Sequence, residues 1–231
     1  MEHLDAAFFF ALLKIIWADI LLSGDNAIVI ALATRHLPAR RQRQAIIGGA
    51  AAAILMRVLL ALFAIQLLQL PYLKLIGAAL LVWIGIKLMN QVDEEAEVAE
   101  AHGLWAAVRT ILLADLAMSL DNVVAIAAAA SAAAPPLRPV LLLIGLGLSI
   151  PLIIFGSTVL LKLMQRFPAI VTLGAALLGF VAGEMAVTDA AMHDWFDAHL
   201  HELGYTVGIA GAVLVVATGL ALGRRGKRDA A

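Results

Sequence analysis

The chain has 231 residues, of which 63% are hydrophobic and 14% charged, and its formal net charge is −1. An average soluble domain carries about 25% charged residues, and the mean hydropathy here is +0.98. A soluble enzyme, a nucleic-acid binder and a disordered chain are thereby excluded, and an integral membrane protein is expected.

The absence of cysteine removes disulfides, iron–sulfur clusters and thiolate metal sites. The opening Met1-Glu2-His3-Leu4-Asp5 is acidic, and no A-x-A-like site closes the first apolar run. That run is expected to remain as a helix rather than to be removed as a leader. A bilayer-crossing helix needs about 20 apolar residues. Seven segments qualify in chain order: 8–33, 45–68, 71–90, 104–133, 139–161, 168–188 and 204–223. They lack the alternation of barrel strands, so the expected fold class is an all-α membrane protein with seven transmembrane helices. They form one transmembrane domain over 1–223, followed by a basic tail at 224–231.

The loops suggest an orientation. Arg35, Arg40, Arg41 and Arg43, then Lys162 and Arg166, then Arg224, Arg225, Lys227 and Arg228 fall on one side if the helices alternate. The opposite side holds Arg138, with Lys14 and Lys74 near span ends. The positive-inside rule then places the protein in the cell (inner) membrane with its N-terminus outside and its C-terminus cytoplasmic.

Two segments match at an offset of 96: Ala18-Asp19-Ile20-Leu21-Leu22-Ser23-Gly24-Asp25-Asn26 and Ala114-Asp115-Leu116-Ala117-Met118-Ser119-Leu120-Asp121-Asn122. Pro71 and Gly77-Ala78-Ala79-Leu80-Leu81 match Pro168 and Gly174-Ala175-Ala176-Leu177-Leu178 at an offset of 97. On that register Lys87 stands opposite Glu184. Repeat A (about 8–90) and repeat B (about 104–188) each hold three spans, so the second copy enters from the other side. An inverted 3+3 repeat plus one C-terminal helix (about 204–223) is the expected organisation, as in many secondary transporters.

A charge at mid-bilayer costs at least ~2.5 kcal/mol on insertion scales. Asp19, Asp25, Asp115, Asp121 and Glu184 nevertheless lie within spans, against the one deep base Arg57. Five acids and one base leave −4 if all are ionised, so cations, protons or both must balance the site. Arg57 is expected to neutralise one acid. Glu184 is a candidate ligand, proton carrier or partner of Arg57.

At about 100° per residue, Asp19, Ser23 and Asn26 share a stripe, and Asp25 points about 120° away from Asp19. Asp115, Ser119, Asn122 and Asp121 repeat this pattern. Either a break near Ser23-Gly24 turns Asp25 into the same cavity, or each helix is straight and its two acids line different paths. Gly24 permits a break more readily than its counterpart Leu120. Oxygen ligands suit Mg²⁺, Ca²⁺ and Mn²⁺. No histidine lies deep in a span, which argues against Zn²⁺, Cu⁺ and Ni²⁺. Met118, beside Ser119, is a candidate soft ligand or an ordinary packing residue.

Leu22-Ser23-Gly24-Asp25-Asn26-Ala27, Met118-Ser119-Leu120-Asp121-Asn122-Val123 and Gly183-Glu184-Met185 resemble the TerC family of integral membrane proteins, most nearly its short YjbE-type branch. The resemblance covers nearly the whole chain. It implies membership of the wider LysE superfamily of exporters and export of Mn²⁺, with Asp25, Asn26, Asp121 and Asn122 as metal-site residues. Asp19 and Asp115 match acidic positions upstream in the same helices. Only the resemblance selects Mn²⁺ over Mg²⁺ or Ca²⁺.

The expected function is a secondary transporter exporting divalent cations, with Mn²⁺ as substrate and no organic cofactor. The metal-site candidates are Asp25, Asn26, Asp121, Asn122, Asp19, Asp115 and Glu184. Arg57 and Glu184 are assigned to charge balance, and Ser23, Ser119 and Met118 support the site. The expected partners are the cation and the lipid bilayer, with no nucleic acid and with homo-oligomerisation left open. The alternatives are a non-transporting membrane subunit and an intramembrane aspartyl protease built on an Asp dyad. The acidic run 93–100 is expected to be a solvated face. Residues 189–203 are expected to form an interfacial helix, with His193, Asp197 and His201 as an alternative metal set.

Overall fold

The computed structural model of the protein describes residues 6–22, 24–63, 70–90, 100–131, 137–192 and 204–229. Within these, the side chains of 6–8, 20–22, 100–102, 121, 123–125, 131, 204 and 224–229 lie outside the description. The described residues are helical with no strand: α1 (Ala6–Leu22), α2 (Gly24–Thr34), α3 (Ala39–Leu62), α4 (Leu73–Met89), α5 (Glu100–Ser131), α6 (Arg138–Gly147), α7 (Ile150–Arg166), α8 (Ala169–Val187) and α9 (Gly204–Asp229).

Among the described residues, five units are long and apolar enough to cross a membrane: α3, Gly103–Leu120 of α5, α6 with α7 (Arg138–Arg166), α8 and Tyr205–Gly223 of α9. The pair α1 and α2 adds a sixth if it is one span. The remaining expected span, 71–90, is α4. Its 17 residues rise about 26 Å at ~1.5 Å each, short of the ~30 Å hydrocarbon core. The count of seven thus becomes five spans, one bent pair and one short helix. Large apolar side chains point outward from most of these helices, including Trp17, Leu55, Ile76, Phe155 and Tyr205. Such a coat suits lipid rather than water.

Two of the expected spans are interrupted. The axes of Phe9–Asp19 and Gly24–Thr34 differ by 49°, beside a glycine, which has low helix propensity. The span expected at 139–161 divides into α6 and α7. Pro151 has no N–H for the Gly147 carbonyl, and the Ser149 N–H turns back to the Leu146 carbonyl at 3.1 Å. At the far end, α9 stays helical to Asp229, through most of the expected tail.

α5 is central and touches α1, α2, α3 and α4, while α4 packs on α8 and α8 on α9. The α8–α9 contact is backbone against backbone. A methyl group at Gly179 would overlap the Gly211 carbonyl, and one at Gly183 would overlap that of Val207. Two apolar cores result. The larger joins α2, α3, α4, α5, α7 and α8 around Leu32, Leu81 and Met118. The smaller joins α1, α3, α5 and α6 around Ile15, Ile54 and Leu142.

Cross-contacts set the two ends of the bundle. Arg35, just past α2, donates to the Leu88 carbonyl at 2.9 Å, and Gly219 near the end of α9 abuts Met89. The ends of α2, α4 and α9 therefore lie together. At the other end, the turn after α8 meets the start of α4 through Asp189.

Candidate functional site

Three buried charges converge inside the bundle. α1 supplies Asp19, α3 supplies Arg57, and α5 supplies Asp115 and Ser119. Asp19 and Ser119 are 0% exposed, Arg57 2% and Asp115 5%. Arg57 Nη1 pairs with Asp19 Oδ1 and Nη2 with Asp115 Oδ1. Its Nε donates to Ser119 Oγ at 3.1 Å. Ser119, one turn beyond Asp115, donates to Asp115 Oδ2 at 3.3 Å. The planar guanidinium fork makes this convergence possible, because Nη1 faces α1 while Nη2 and Nε face α5. Among the described residues, nothing donates to Asp19 Oδ2, although it is fully buried. Two carboxylates and one guanidinium leave one negative charge in a dry place, and such a charge requires a cation or a proton.

The sequence-based expectation gave Arg57 one acid to neutralise. In the structure it takes two, and they are the pair matched at an offset of 96. Asp19 and Asp115, expected in the metal set, stand against Arg57.

A small cavity adjoins this cluster. It offers about 10 Å³ and is lined by Asn26, Arg57 and Asp115, with Ile30, Ala53 and Ile111 among its apolar walls. That is about the space for one water. Asn26 is 5% exposed and opens α2, where its backbone N–H donates to Asp25 Oδ1 at 2.8 Å. Asp25 is half-buried in the first turn of α2, where the helix dipole favours an anion.

The remaining candidates lie as follows. Asn122 is half-buried on α5. The side chain of Asp121 and all of Ser23 lie outside the described residues, as do residues 93–99, the Glu100 side chain and residues 193–203. Met118 is 2% exposed within the larger apolar core. Glu184 is half-buried on α8 and is not among the residues lining the cavity. Among the described residues, no three His, Asp or Glu side chains converge as a metal cluster. Among the described residues, the cavity thus brings together the Asn26 amide from α2, the Arg57 guanidinium from α3 and the Asp115 carboxylate from α5.

Asp189 had no sequence signal. It is 0% exposed and accepts the N–H groups of Tyr72 (3.0 Å), Lys74 (3.0 Å), Leu75 (3.2 Å) and Ala191 (2.8 Å). It thus caps the start of α4 from more than 100 residues away. Tyr72 takes a left-handed φ of 66° to complete the turn. Burial pushes the Asp189 carboxyl up, but the donors at Ala191, Tyr72, Leu75 and Lys74 outweigh it and hold it below the ordinary value of 3.8.

Fold and site together define an all-helical integral membrane protein with a charged cluster sealed inside its bundle. The family model described as "Integral membrane protein TerC family" matches residues 4–227, and the chain belongs to that family. Three relatives, all from Bacillus subtilis (strain 168), carry the description uncharacterized membrane protein. YjbE is 39% identical over 199 residues, covering 86% of this chain and 88% of YjbE. YceF is 30% identical over 176 residues, covering 72% and 66% of the two chains. YkoY is 26% identical over 200 residues, covering 79% and 61%. No solved structure matches the chain with significance.

Proposed function

We propose that the protein is a secondary transporter that moves divalent cations, foremost Mn²⁺, out of the cell across the cell membrane. One observation carries this: Asn26 and Asp115 face a single cavity deep in an apolar bundle, beside a buried cluster with a surplus negative charge. A buried surplus of this kind is costly unless a cation is its purpose. The available donors are oxygens, which suit hard divalent ions. The basic end of the bundle, with Arg35 and the ends of α2, α4 and α9, is the cytoplasmic face, and transport proceeds by alternating access about the axis relating the two repeats. Asn26 and Asp115 provide metal oxygens at this cavity, and Asp25, Asp121 and Asn122 complete the set. Mn²⁺ flux into proteoliposomes tests the proposal. The wild-type chain is expected to carry Mn²⁺, and Asp25→Asn and Asp121→Asn are each expected to lose most of the flux. Full flux in both variants would sink the assignment.

A further inference from the structure

All three faces of the Arg57 guanidinium are engaged: Asp19 on α1, Asp115 on α5 and Ser119 on α5. Arg57 and Asp115 also line the cavity that Asn26 enters from α2. A cation seated in that cavity would share Asp115 with the guanidinium, and two cations on one carboxylate repel each other in a dry site. Asp19 is not among the residues lining the cavity, and its second oxygen accepts nothing among the described residues.

The helices on the two sides of the break have different neighbours. α1 packs on α5 and α6, whereas α2 packs on α7, α5 and α8. The two meet at 49°, so α1 has a joint at one end. Through Asp19, the Arg57 ion pair ties α1 to α3 and α5 by its deepest polar contact.

We propose that Arg57 is a tethered counter-ion. In the unloaded protein it occupies the cation's place on Asp19 and Asp115 and so latches α1 to α3 and α5. A divalent cation arriving at Asp115 and Asn26 displaces the guanidinium, and α1 is then free to turn about the bend between Asp19 and Gly24. The inference rests on the cation-transport reading above. It makes Arg57 a positioning residue that couples loading to the movement of a half-helix, because the same carboxylates cannot serve both cations fully.

The test uses the purified full chain in nanodiscs and titrates Mn²⁺, with the free ion counted by its electron paramagnetic resonance. Hydrogen–deuterium exchange is followed over residues 9–19. Arg57→Ala removes the competitor and is expected to bind Mn²⁺ about tenfold more tightly, within the usual span of coupled sites. Millimolar guanidinium ion is expected to reverse that gain in Arg57→Ala and to leave the wild type unchanged, an effect that a merely structural arginine would not produce. Mn²⁺ is expected to raise exchange in α1 of the wild type. In Arg57→Ala, exchange is expected to be high without metal and to fall when guanidinium is added. If Arg57→Ala is not monodisperse, Arg57→Lys serves instead, because an ammonium holds the two carboxylates less well and gives a smaller shift in the same direction. Mn²⁺ binding that is equal or weaker in the variants, or α1 exchange that metal leaves unmoved, overturns the latch alone. Mn²⁺ bound by neither wild type nor variants overturns the transport reading and the latch with it.

Discussion

The Ser-x-Asp-Asn motif occurs twice in almost the same residues and lies on two different backbones. In the first half the helix axis turns by 49° between Asp19 and Gly24, and Asp25 and Asn26 open a new helix. In the second half α5 runs unbroken from Glu100 to Ser131, through Ser119 and Leu120. Leu120 is 5% exposed within the larger core, where its side chain lies near Gly77. At Gly24 a Cβ would meet nothing within 4 Å. Leu120 is therefore pinned by packing, whereas its counterpart Gly24 stands in open space. Matched residues in two similar segments need not do matched work. Asp19 and Asp115 reach the same arginine, one from a jointed half-helix and the other from the central strut of the bundle.

The strongest way to break this comparison is at the arginine. Arg57→Ala leaves two buried carboxylates without a counter-charge, and stripping a partner from a buried ion pair costs about 3–5 kcal/mol. Asp115→Asn keeps a neutral pair between Arg57 and Asp19 but weakens the acceptor for Ser119, for about 1–3 kcal/mol. Asp19→Asn also leaves a neutral pair and removes the oxygen that accepts nothing, so its cost is expected to be below that of Asp115→Asn. Chemical unfolding in detergent ranks the three. Equal costs for the two aspartates would mean that they are equivalent after all.

How much of this was legible follows from where each signal resides. The helices were legible because apolar length is a property of the local chain. The neighbourhood of Asp115 and Ser119 was legible from the helical period, and so was the difference between Gly24 and Leu120. Arg57 was legible as a charge that needs an acid. That it takes both matched acids was not, because α1, α3 and α5 meet only in the packed bundle. The division of the span expected at 139–161 was not anticipated, because a proline within an apolar run indicates a weak point rather than the extent of an interruption. Asp189 was invisible because the groups it satisfies begin at Tyr72, and nothing near position 189 encodes that partnership.

The same contrast between halves recurs at α4 and α8, the helices matched at an offset of 97. Asp189 caps α4, whereas α8 begins at Pro168 with no side-chain cap. Losing a helix cap costs about 1–2 kcal/mol, so Asp189→Asn is expected to lower the melting temperature moderately. Its pH dependence has a definite sign. The folded carboxyl is held below its ordinary value of 3.8, so its contribution is complete above that pH and fades as pH falls through the folded value. Acid unfolding curves are expected to converge for wild type and Asp189→Asn below this range and to separate above it. Curves that stay parallel throughout would show that the carboxylate charge contributes nothing to the cap.

The mildest substitution bears most directly on the difference between the two copies. Gly24→Ala meets no steric obstacle, and alanine favours helix over glycine by about 1 kcal/mol. If the joint between α1 and α2 depends on a weak helical position, the variant is expected to be slightly more stable and slower in Mn²⁺ flux, because a straighter first span resembles the rigid second one. Paired melting and flux measurements separate the possibilities. Higher stability with undiminished flux would show that transport does not use the bend. Lower stability would show that the bend is imposed by packing around α1 and α2 rather than allowed by the glycine between them.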